Sequence, residues 1–106
     1  LAQEATITGN AVLALEQLKD IAAAQEATID DVAQFVDAAL AAGSAADANE
    51  VVHAAVNKWP IDAQAQELLG RVAAALGNKD EARTAFEQAL KLDPLRETSR
   101  AELQKL

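Results

Sequence analysis

Apolar residues return three or four positions apart through most of this chain, as in Ala82, Phe86 and Ala89, which is the spacing of one helix face. Read with its punctuation, the pattern predicts helices at about 1–8, 11–25, 29–42, 45–58, 62–76, 79–92 and 95–105. No stretch shows the strict alternation of a β-strand, so the fold class is all-α. Gly43 and Gly77 fall where a left-handed residue would close a helix. Thr28 with Asp31, Ser44 with Asp47 and Asn78 with Glu81 have the form of capping pairs. In such a pair the first side chain accepts from a free backbone N–H, and the acid three residues on reaches back. Asp62, just past Pro60, is the expected cap of the next helix.

The punctuation is itself periodic. Gly9, Gly43 and Gly77 stand 34 residues apart, as do Ala14, Ala48 and Ala82, and Pro60 and Pro94. Leu1, Phe35, Leu69 and Leu103 keep the same spacing. Four series in one register mark a repeat array, in which each unit stacks on its neighbours. Leu69-Gly70, Ala73, Ala82, Phe86, Ala89 and Pro94 follow one another at offsets that resemble the tetratricopeptide repeat. Phe35, Ala39, Ala48, Val52, Ala55 and Pro60 repeat them, with Val36 where Gly or Ala is usual and Val52 where Phe is usual. Leu1, Ala2, Ala5, Ala14, Leu18 and Ile21 fit a partial first unit that has Glu26 at the proline position. The resemblance implies a right-handed α-solenoid of antiparallel helix pairs, about two and a half to three repeats with a C-terminal capping helix. Its expected units are 1–28 (partial), 29–62, 63–96 and the cap 97–106.

Composition agrees with one such domain. Alanine supplies 27 of the 106 residues, and small side chains let helices approach closely where they cross, which assigns Ala48 and Ala82 to the crossings. Phe35 and Phe86 are expected in the core. The absence of cysteine excludes disulfides, thiolate chemistry and cysteine-ligated metals, without choosing between cytoplasm and periplasm. No run has the length of a membrane span. The chain contains no Met and opens inside a predicted helix, so it is read as a piece of a longer protein. Of its net charge of −8, all falls in residues 1–57, where nine acids meet Lys19 alone. Phosphate contacts need a basic surface, so nucleic acid is excluded as a partner; the acidic half reads as a solvated, solubilising surface, with a basic partner segment docking near the N-terminal half as the functional alternative.

Catalytic chemistry is not legible. His53 is the only histidine and reads as a partly exposed structural residue. Asp30 and Asp31 are adjacent on a helix, about 100° apart, and suit a helix N-terminus better than a shared substrate. Ser44 and Ser99 have no histidine or lysine at an activating spacing. The expectation is a non-enzymatic chain with no metal and no cofactor. The resemblance implies instead a concave groove lined by the first helices of successive units, which holds a partner peptide or protein. Carried over by register, its residues include Asp30, Ala33, Asp37, Leu40, Gln64, Glu67, Arg71 and Lys105, with Gln3, Thr6 and Ile7 at the start of the chain. Gln3, Asp37, Arg71 and Lys105 form one equivalent row that passes from neutral through acidic to basic. Of the positions where a subset of the family clamps a C-terminal carboxylate, only Arg71 is basic, which argues against a clamp. Two other roles fit the pattern: self-assembly of a longer array, and a recruiting or regulatory domain of a larger enzyme.

Overall fold

The computed structural model describes residues 16–106, in which helix follows helix with no strand among the described residues. α1 occupies residues 16–23, followed by α2 (Ile29–Ala41), α3 (Ala45–Lys58), α4 (Ala63–Ala75), α5 (Lys79–Leu92) and α6 (Glu97–Lys105). These bounds follow the predicted helices closely, except that the last begins at Glu97 rather than 95. There Pro94, which has no N–H, sits in a turn closed by Leu95 N–H on Asp93 Oδ1 (3.1 Å) and Arg96 N–H on the Asp93 carbonyl (3.2 Å). The helix predicted at 1–8, the start of the next one, Gly9 and Ala14 lie outside the described residues.

Neighbours in sequence pack together, most extensively α4 with α5, and α2 also touches α4 across the intervening helix. That skipped contact sets first helix beside first helix, as stacking repeats require. The chain is an all-α helical-repeat solenoid.

Two of the four expected caps form. Thr28 Oγ1 accepts from Asp31 N–H (3.3 Å) while Asp31 Oδ2 accepts from Thr28 N–H (2.9 Å). Asp62 Oδ1 accepts from Gln64 N–H (2.8 Å) and Ala65 N–H (3.3 Å). Ser44 and Asn78 make no side-chain cap. The reason is that each already ends the preceding helix. Gly43 and Gly77 adopt φ of 74° and 85°. The N–H of Ser44 reaches the Ala39 carbonyl (2.7 Å) and that of Asn78 the Ala73 carbonyl (2.9 Å), which completes a Schellman closure in each case. The last residue of each three-residue connection takes its backbone angles from that closure, with ψ of 42° and 76° rather than the extended value a cap needs.

The core holds Val32, Phe35, Val36, Ala39, Ala48, Val52 and Val72 on one side and Ala73, Ala82 and Phe86 on the other. Ala48 and Ala82 are fully buried, as their crossing positions demand. Gly70 is packed directly against Phe86: a Cβ there would stand 2.8 Å from the ring. In the preceding register Val36 and Val52 hold the same two positions, both fully buried.

Candidate partner-binding groove

The first helices α2, α4 and α6 are tied in a row by side chains. Asp37 Oδ1 on α2 forms an ion pair with Arg71 Nη1 on α4 at 2.8 Å. The two residues are 34 apart, so the repeat itself sets them side by side. Asp37 remains mostly exposed and Arg71 partly so, which limits the pair to about 0–1 kcal/mol. Its effect on the surface is larger than its energy: the acidic and basic steps of the expected charge row neutralise one another.

α4 and α6 are joined differently. Glu67, expected on the groove surface, is 7% exposed. It accepts from Arg96 Nε (3.1 Å) and Nη2 (3.2 Å) and from the Ser99 hydroxyl (2.7 Å), and Ser99 is itself fully buried. Burial pushes the Glu67 carboxyl up, but the hydrogen bonds from Arg96 and Ser99 and the charges of Arg96 and Arg71 outweigh it and hold it below its ordinary value. The same bond raises Arg96. Glu67 is therefore withdrawn from the groove and spent on holding α6. A sequence reading misses this because Glu67 and Arg96 are 29 apart, outside the repeat spacing.

The remaining residues divide by exposure. Asp30 is exposed in the first turn of α2 and Lys105 in the last of α6, where its Nζ lies 3.3 Å from Glu102 Oε1. Ala33 and Leu40 are half-buried and pack on the core, and Gln64 is half-buried at the start of α4. Gln3, Thr6 and Ile7 lie outside the described residues. Every buried side-chain polar atom among the described residues has a hydrogen-bond partner, so no buried group is left aimed at an absent ligand. Among those residues no three His, Asp or Glu side chains gather in a way that could hold a metal.

A family model described as tetratricopeptide repeat matches residues 33–97, more than half of the chain. The chain belongs to the tetratricopeptide repeat family. No curated protein sequence matches it. Tetratricopeptide repeats as a class mediate protein–protein interaction and are typically scaffolds rather than catalysts. No helix among the described residues is long and apolar enough to cross a membrane.

Within this tetratricopeptide array two further residues take definite places. His53 presents Nδ1 to the Asn49 carbonyl (2.8 Å) and Nε2 to Glu81 Oε1 (3.0 Å), which ties α3 to α5. Glu81, released from the cap expected with Asn78, serves this bridge instead. Trp59 is half-buried against the core, with Lys58 Nζ 4.7 Å from its ring centroid.

Proposed function

We propose that this tetratricopeptide array is a non-enzymatic scaffold that binds an extended or helical peptide of a partner protein along the row of α2, α4 and α6. The observation that carries the reading is the Asp37–Arg71 bridge, which joins two first helices into one continuous face. Beside that ordered pair of charges the face offers the small half-buried residues Ala33 and Leu40, the amide of Gln64, and the exposed charges Asp30 and Lys105 at opposite ends. A partner with a basic residue over Asp30 meets the acidic half of the chain with complementary charge.

The bridge also makes a clean test. Asp37→Lys together with Arg71→Glu exchanges the two charges while keeping their attraction, so helicity and stability should be unchanged. Peptides selected on the parent from a random display library should bind the exchanged protein at least tenfold more weakly, a loss of about 1.4 kcal/mol or more. Selected peptides that bind both proteins equally would place the site off this row.

A further inference from the structure

On the side of α2 away from the Asp37–Arg71 bridge lies a pocket of about 250 Å³ between α1 and α3. Ala22, Ala23, Val51, Ala54 and Trp59 wall it and Val32 forms its base. Val32 and Asp37 are five residues apart on α2, which at 3.6 residues per turn separates them by about 140° around the helix. The pocket is thus independent of the groove.

Its walls are almost wholly apolar, yet Lys19 and Lys58 both line it. Lys19 is the only lysine or arginine in residues 1–57, and Lys58 is the next along the chain. The one lysine of that stretch of nine acids and the lysine that follows the stretch both line one small apolar pocket, where Glu50 is the one acid. Among the described residues neither lysine makes an ion pair. Lys58 Nζ is held by the carbonyl oxygens of Gln25 (2.6 Å) and Ala27 (3.1 Å) and by the face of Trp59. Two of its three donors are used, which fixes a full charge beside the apolar wall and leaves one donor over.

The repeat supplies an internal comparison. One register along, between α3 and α5, His53 replaces Lys19, Val56 replaces Ala22 and Gln88 replaces Ala54. The His53–Glu81 bridge spans that second cleft. Small walls and unpaired cations therefore belong to the first cleft and are not a by-product of stacking.

We infer that the pocket binds a short amphipathic carboxylate, its chain between α1 and α3 against Val32 and Trp59 and its carboxylate at Lys19 and Lys58. The volume lies below the roughly 300–1,000 Å³ of most small-molecule sites, which limits the ligand to a short chain. An acid head fits the site because its apolar wall carries two cations against one acid, a complementary charge at the rim.

Trp59 is the only tryptophan, so its emission reports occupancy. The full chain is titrated with octanoate, octan-1-ol and octylammonium. Octanoate should give a saturable change at one site, the alcohol should bind at least tenfold more weakly, and the ammonium should give none. Ala54→Leu, at an exposed position of α3, should fill the pocket and abolish binding. Lys19→Glu should weaken octanoate at least tenfold with helicity unchanged. Equal binding of acid and alcohol, no saturable response in the parent, or undiminished binding by Ala54→Leu would overturn the assignment.

Discussion

Gly70 and Phe86 act as one feature divided between two helices. The ring occupies the space of the missing side chain, so neither residue is free to change alone. Val36 and Val52 hold the same positions one register earlier, and each departs from the family pattern. Seen singly in the sequence they are two deviations; buried in one cluster they are a volume exchange, with a methyl-bearing residue added where a ring is lost. Cores tolerate swaps that conserve volume and resist overpacking. Gly70→Val should therefore cost about 1–3 kcal/mol despite removing a glycine from a helix interior, since the propensity gain is under about 1 kcal/mol. Adding Phe86→Val should recover much of that loss by recreating the Val–Val arrangement. A double-mutant cycle in urea measures the coupling, and strictly additive losses would contradict the shared-space account.

Among the helices, ends carry the information that sequence rules read best and worst. Thr28 and Asp62 cap as expected because each precedes its helix in extended conformation, with ψ of 168° and 115°. Ser44 and Asn78 look the same in sequence, but a three-residue connection closed on its glycine gives their backbone to the helix before. The register placed every described helix, because periodicity survives any detail of the ends. It did not foresee that Glu67 would leave the groove for Arg96 and Ser99, since a long side chain can reach a neighbouring helix that repeat spacing does not name. That network predicts an acid response. Glu67 has its folded-state pKa held below its ordinary 4.5, so its stabilisation is present above that value and is lost as pH falls through the folded value. At neutral pH, Glu67→Gln should lower stability by about 1–3 kcal/mol, because the charged bonds to Arg96 and Ser99 are lost while both partners stay partly or fully buried. On acidification the gap between parent and variant should close. Urea midpoints followed across pH check this, and a gap independent of pH would exclude Glu67 as its source.

For the whole molecule, the stacking is uneven. α4 touches α2, α3 and α5, whereas α6 packs chiefly on α5 and is held to α4 through Glu67. Which helices stand side by side was legible, since register pairs first helix with first helix. The charge state of the groove residues was not, because the Asp37–Arg71 contact depends on two side chains meeting across units. The inequality of neighbours has a consequence in time. In a linear array, opening begins where a helix has the fewest partners and proceeds inward, so each helix keeps its own clock. Amide protons in α4 should exchange with solvent most slowly of all, those of α5 and α3 faster, and those of α6 fastest. Native-state hydrogen exchange read by mass spectrometry would show this order, while uniform protection across the helices would mean that the array opens as a single block. The clock of α4 sets the slowest step of that inward opening, and that of α6 the fastest.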